Sequence, residues 1–172
     1  MPDGDIFHIT NVINLYALAV DTHSWDLLDE VFTPDIAIDF GGPAAWQSLD
    51  ALKAAFAAIH EPFKSTQHFT SNHQIKCAGD HASGTSYVRG VFIRPVPEGG
   101  DMFESTGWYD DALVRTAQGW RIKRRSSRMT WWGGNPKVLQ TAPGAGVPSL
   151  LSSLAEEAHN GAVRHVTLLQ QR

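Results

Sequence analysis

Cysteine is nearly missing from this chain of 172 residues. The single Cys77 excludes an intramolecular disulfide and any zinc site built on several thiolates. Long hydrophobic runs are missing as well. The longest uninterrupted apolar stretches are Leu15–Val20 and Ala54–Ile59, far short of the roughly 18 residues a membrane-spanning helix needs. No hydrophobic leader follows the acidic start Met1-Pro2-Asp3-Gly4-Asp5, so a cytoplasmic location is expected. Positive charge is in deficit: 14 Lys and Arg stand against 18 Asp and Glu. The balance of −4 argues against nucleic-acid backbones as partners. Phosphate-binding and dinucleotide fingerprints and a Gly-x-Ser-x-Gly elbow are not found. What remains is a chain of globular composition, 42% hydrophobic and 19% charged. Six Trp, eight Phe and eight His stand out in it, and they imply an aromatic-lined interior with groups that titrate near neutrality.

The order of elements points to an α+β fold. Ile6, Ile9, Ile13, Tyr16 and Val20 recur at helical spacing behind Asp5, a potential cap. A short second helix fits Trp25–Phe32, with Ser24 as cap and Pro34 as stop. Asp35–Phe40 alternates as a strand, and a third helix is expected over Ser48–His60, with Leu49, Leu52, Phe56 and Ile59 inward. From Thr66 to Trp132 four long strands follow, broken at 78–80, 97–100 and 116–119. Antiparallel strands of this length twist and curl. The expected architecture is a cone-shaped α+β barrel: a strongly curved antiparallel or mixed sheet packed against three N-terminal helices, with an apolar pocket inside. A domain of residues 1–138 would precede a tail of residues 139–172. That tail holds a Pro/Gly hinge at 142–148 and a short capped helix over Ser149–His159, carrying Leu150, Leu151 and Leu154.

Few residues in this layout are suited to chemistry. His8, His23, His60, His81, His159 and His165 fall at helix ends, in turns or in the tail, where solvated roles are expected. His68 and His73 share one strand, but five residues along a regular strand put them on opposite faces, so no metal centre is expected. His68 lies where the strand leaves the third helix, at the mouth of the cone. Asp21 ends an otherwise apolar helical face, where a half-desolvated carboxylate needs a donor. An Asp–His pair fixes one imidazole tautomer and raises its basicity. Tyr16 sits about 140° from Asp21 around the helix and borders the same cavity if the helix ends near Val20. On the last strand Trp120 and Ile122 face inward, which puts Arg124, Ser126 and Arg128 on the same face and Arg121, Lys123 and Arg125 outside. A bulge would exchange the two faces.

Several motifs together give a resemblance. Tyr16-x4-Asp21, the run Trp25-Asp26-Leu27-Leu28-Asp29-Glu30-Val31-Phe32-Thr33-Pro34-Asp35, His68 with Asn72, and Gly119-Trp120-Arg121-Ile122 resemble the SnoaL-like branch of the NTF2-like superfamily over about residues 5–135. Scytalone dehydratase, bile-acid dehydratase and lindane dehydrochlorinase belong to that branch. They are cofactor-free enzymes in which a His–Asp dyad removes a proton inside a cone-shaped pocket. The resemblance implies that His68 and Asp21 are the dyad, that Tyr16 contributes to the pocket, and that Arg124 matches the dehydrochlorinase arginine. Two departures stand out. A second pocket histidine of the scytalone dehydratase type is not found near Val91, Phe92 and Ile93, and Tyr16 replaces the dehydrochlorinase lysine.

The expected function is that of a cofactor-independent lyase or isomerase, dehydratase- or cyclase-like, for a small hydrophobic cyclic substrate. Trp46, Tyr87, Phe92, Trp108 and Arg128 are expected to line its pocket. The alternative is a non-catalytic ligand-binding or accessory subunit of the same fold, like the small subunit of ring-hydroxylating dioxygenases. A homo-oligomer, dimer or trimer, is expected from the broad outer face of the sheet and the tail.

Overall fold

The computed structural model describes residues 3–142, 145–147 and 151–171. Helix α1 (Asp3–Asp21) leads into a 3-10 helix (Trp25–Glu30), strands β1 (Phe32–Asp39) and β2 (Ala45–Trp46), and helix α2 (Leu49–His60). Four long strands follow: β3 (Ser65–Ala78), β4 (His81–Ile93), β5 (Met102–Thr116) and β6 (Gly119–Gly134). A second 3-10 helix (Pro136–Leu139) and helices α3 (Leu154–His159) and α4 (Arg164–Gln170) complete the described chain. The strands form one six-stranded sheet in the order β2-β1-β6-β5-β4-β3. It is mixed, because β1 runs parallel to β6 while the other neighbours are antiparallel. The architecture is α+β, a curved sheet with α1 and α2 on its concave side.

Local chemistry explains the elements. Ser48 caps α2 by accepting from the Ala51 amide at 3.1 Å, and Leu49, Leu52 and Phe56 are buried along one face. Along α1 the residues Ile9, Val12, Ile13, Tyr16 and Val20 are buried against the sheet, while Ile6 is exposed. Asp5 lies inside α1 and does not cap it. Its carboxylate accepts from the Arg115 guanidinium at 2.9 and 2.7 Å and from Trp120 Nε1 at 3.1 Å, which ties α1 to the end of the β5–β6 hairpin. The second helix is a short 3-10 turn that stops at Glu30, and Ser24 makes no side-chain cap. Val31 and Phe32 are buried, as their apolar character demands, but Phe32 already belongs to β1, and Pro34 lies within that strand.

Bulges give the sheet its curl and change which side chains face inward. On β3, Asn72 and His73 together oppose Ser86, and Asn72 has φ +52°, a left-handed conformation that Asn tolerates better than most residues. On β6, Lys123 and Thr130 are each an extra residue against β5. Gly107 sits at the second of these irregularities, where a Cβ would collide with the Arg128 carbonyl oxygen, so only glycine fits.

The tail returns to the convex face. The Ser152 amide donates to the Met129 carbonyl at 2.9 Å, and Lys76 Nζ donates to the Leu168 carbonyl at 2.6 Å. Helix α3 starts at Leu154 with Ser153 as its cap, later than the expected Ser149. Ser149 and Leu150, like Pro143, Gly144 and Pro148 of the hinge, lie outside the described residues. No described helix is long and apolar enough to cross a membrane.

Candidate active site

Asp21, the last residue of α1, meets the first turn of chain in β3. Its Oδ1 lies 2.7 Å from His68 Nδ1 and accepts from Thr66 Oγ1 at 2.9 Å, while Oδ2 accepts from the His68 backbone amide at 2.7 Å. Three donors thus converge on one half-buried carboxylate. Burial pushes the Asp21 carboxyl pKa up, but the bonds from His68 and Thr66 outweigh it and hold the group below the ordinary value. An ionised acceptor at Nδ1 requires the proton there in the neutral imidazole, so the lone pair is on Nε2. The His68 ring stands edge-on to Phe92, with centroids 5.3 Å apart. Gly90 of β4 lies beside it: a Cβ there would come within 3.3 Å of Nε2. Glycine leaves the lone pair open.

That lone pair borders a cavity of about 420 Å³ on the concave side. Trp46, Phe56, Phe63 and Phe92 give it aromatic walls, and Leu139, Ala145 and Gly146 from the tail border it too. Tyr16 reaches the cavity from α1, and Tyr109 joins it from β5; their rings meet edge-on at 5.9 Å. Burial pushes both phenols above their ordinary values, Tyr109 to about 12, so each remains a neutral O–H donor. Ser105 and Ser127 add hydroxyls to the wall, and Arg128 lines it while its guanidinium donates to Asp39 Oδ2 at 2.6 Å.

Three expected site residues lie elsewhere. Arg124 is half exposed on the convex face, 3.9 Å from the Asp110 carboxylate, and does not line the cavity. The bulge at Lys123 is the reason, because it moves Arg125 inward in place of Arg124. Arg125 is fully buried and makes a two-pronged pair with Asp111 at 2.8 and 2.7 Å. Its guanidinium stacks 4.5 Å from the Tyr16 ring and 4.0 Å from the Tyr109 ring, behind the cavity wall. Burial opposes that charge, and the Asp111 carboxylate outweighs the burial, raising the guanidinium pKa. Tyr87 is 49% exposed on the convex face. Trp108 is buried, but on the convex side that it shares with Asp110 by period-two counting, and it does not line the cavity.

The histidines also differ from expectation. The bulge at Asn72 turns His73 inward, onto the same face as His68, where its Nδ1 lies 2.7 Å from Ser86 Oγ. No group of three His, Cys, Asp or Glu among the described residues is arranged to hold a metal ion. His60 and His165 are buried, at 6% and 1% exposure, where solvated positions were expected. His60 lines the cavity from the end of α2 and gives it a second histidine. The sequence signal for it was faint: His60 closes the apolar stripe of α2 at helical spacing from Phe56.

A family profile of the SnoaL-like domain matches residues 5–126. The chain belongs to the SnoaL-like family. It is 33% identical over 129 residues to an uncharacterized protein of Mycobacterium tuberculosis, covering 71% of this chain and 83% of the relative. Among solved structures, a candidate scytalone dehydratase from Novosphingobium aromaticivorans superposes with a TM-score of 0.70 at 21% identity, over 86% of this chain and 95% of the other. A hexachlorocyclohexane dehydrochlorinase of type 2 does so with a TM-score of 0.68 at 16% identity, over 82% and 95%. At these identities the two structures establish the NTF2-like fold. They also place proteins named as a dehydratase and a dehydrochlorinase among its members.

Proposed function

We propose that this SnoaL-like protein is a cofactor-independent lyase or isomerase that removes a proton from a hydrophobic cyclic substrate held in the concave cavity. The observation that carries the reading is the Asp21–His68 contact at 2.7 Å with Nε2 left open beside Gly90. In the proposed step Nε2 takes a proton from a carbon next to a carbonyl, and the C–H pair moves to form an enolate. Asp21 stabilises the imidazolium that results. Tyr16 and Tyr109, neutral donors in a site of low polarity, offer O–H groups to the developing oxyanion, and Ser105 and Ser127 add further donors. Elimination follows when the electron pair closes the new C=C bond and the leaving group departs with the proton from His68. Isomerisation follows when that proton returns to a different carbon. Arg124, on the convex face, has no part in this step.

A screen of hydroxylated ketones and cyclic polyketides, read by product absorbance, tests the proposal. Wild type is expected to turn over its substrate, and His68→Ala and Asp21→Asn to lose about 10²–10⁴ in rate, the usual range for positioned acid–base catalysis, with the fold intact by circular dichroism. Full activity in either variant overturns the dyad.

A further inference from the structure

His60 and His68 both border the cavity, and each has its Nδ1 committed elsewhere. The two commitments differ in kind. His68 Nδ1 faces a carboxylate, which stabilises an added proton. His60 Nδ1 lies 2.9 Å from the carbonyl oxygen of Phe56, one turn back on α2. A carbonyl oxygen only accepts, so the His60 proton resides on Nδ1 and the Nε2 lone pair is free. Among the described residues no donor reaches that nitrogen. The ring is nine-tenths buried in an aromatic box, with Trp25, Phe56 and Phe63 at centroid distances of 5.5, 5.3 and 5.7 Å. The titratable groups that bear on it are His68, His23 and Asp21. Burial dominates them all and pushes the imidazole pKa down to about 4. At neutral pH His60 carries no charge and has no proton to give from Nε2.

Resting on the reading of this cavity as a substrate site, we propose that His60 Nε2 is a fixed hydrogen-bond acceptor for a ring hydroxyl of the ligand. The substrate class then narrows to hydroxylated rings, and bare hydrocarbons and halocarbons are disfavoured. Such a ligand donates to an acceptor that has no protein donor among the described residues, while a ring without a donor leaves that bond unmade. Phe56 and Phe63 line the cavity beside His60 and offer aromatic faces to the ring that carries the hydroxyl. His68 and His60 thereby divide the work: one imidazole is backed by charge and takes a proton, and the other is backed by a neutral carbonyl and only accepts a bond.

Two probes of matched shape test this without any turnover, 2-naphthol and 2-fluoronaphthalene, with binding followed by tryptophan fluorescence and calorimetry. Wild type is expected to bind 2-naphthol about tenfold tighter, the worth of one hydrogen bond. His60→Phe is expected to erase that preference and leave the 2-fluoronaphthalene affinity within about twofold. Equal or absent binding of the two probes by wild type overturns the proposal, and so does a preference that survives in His60→Phe. Nitrogen-15 NMR on the wild-type protein guards against a variant that fails to fold. The His60 Nε2 resonance should be that of an unprotonated nitrogen and should shift with 2-naphthol alone. A protonated or unresponsive Nε2 at neutral pH contradicts the proposal. The same preference measured in His68→Ala separates this inference from the proton-transfer reading, since it should persist there even if His68 proves inert.

Discussion

On the concave face of the sheet, Asp21 faces His68 Nδ1 and leaves Nε2 beside the cavity; on the convex face, Asp110 and His165 also meet, to a different end. The Asp110 carboxylate accepts from the backbone amides of Arg164 and His165, each at 3.0 Å, and so caps α4, whose own N-cap Val163 has no side chain able to do it. The His165 ring turns away to Ser83 Oγ at 2.9 Å, and its Nε2 is buried without a partner among the described residues. The carboxylates respond differently. Three donors outweigh burial at Asp21 and lower its pKa, whereas burial outweighs two backbone amides at Asp110 and raises it. A histidine next to an aspartate is therefore not yet a base. The imidazole itself must face the carboxylate, and its far nitrogen must face open space.

Variants can break this contrast, and the largest stability effect is expected where a charge has no water at all. Asp111→Ala leaves Arg125 buried and unpaired behind Tyr16 and Tyr109, which should cost about 3–5 kcal/mol in denaturant unfolding. A loss below about 1 kcal/mol would mean that the guanidinium finds water.

Acid should separate the buried histidines from the dyad. An unfolded His60 takes a proton near 6.5 and the folded one only near 4. Below 6.5 the unfolded chain therefore binds a proton that the folded chain refuses, so stability falls as pH drops from 6.5 toward 4 and is untouched above that window. The full contribution is about 3 kcal/mol. His73 and His165, also lowered by burial, act in the same direction. His60→Phe should flatten this acid limb by its own share in unfolding curves at pH 7 and 4.5, and an unchanged slope would place the His60 ring in water.

The smallest effect belongs to the convex pair. Asp110→Ala removes the cap of α4 and should cost about 1–2 kcal/mol, seen as faster amide exchange in residues 164–170 with the cavity unaffected. Exchange that quickens across α1 and β3 instead would show that the two faces are coupled.

Much of this was legible in the chain, for reasons that are local. Ser48 and the stripe Leu49, Leu52, Phe56 specify α2, and the turn signals at 78–80 and 116–119 delimit the long strands. Asp21 at the polar end of an apolar helix and His68 at the start of a strand were legible as candidate partners, and whether they touch, as they do, is set by the fold. What stayed hidden depends on counts that a bulge resets. One extra residue at Lys123 exchanges Arg124 for Arg125, and one at Asn72 brings His73 to the face of His68. The positions of Trp108, His60 and His165 were hidden for another reason: which chain covers a sheet face or a helix end is a tertiary fact with no local pattern.

The central claim is that His68 Nε2 removes a carbon-bound proton because Asp21 holds the ring, and hydrogen–deuterium exchange reads that step before any product forms. Wild-type protein, His68→Ala and Asp21→Asn would be incubated in D₂O with 6-hydroxy-1-tetralone, 5-hydroxy-1-indanone and 1-tetralone, and deuterium next to the carbonyl followed by mass spectrometry. The account predicts exchange with wild type at least about 100-fold faster than with either variant. Equal exchange in all three proteins would contradict it.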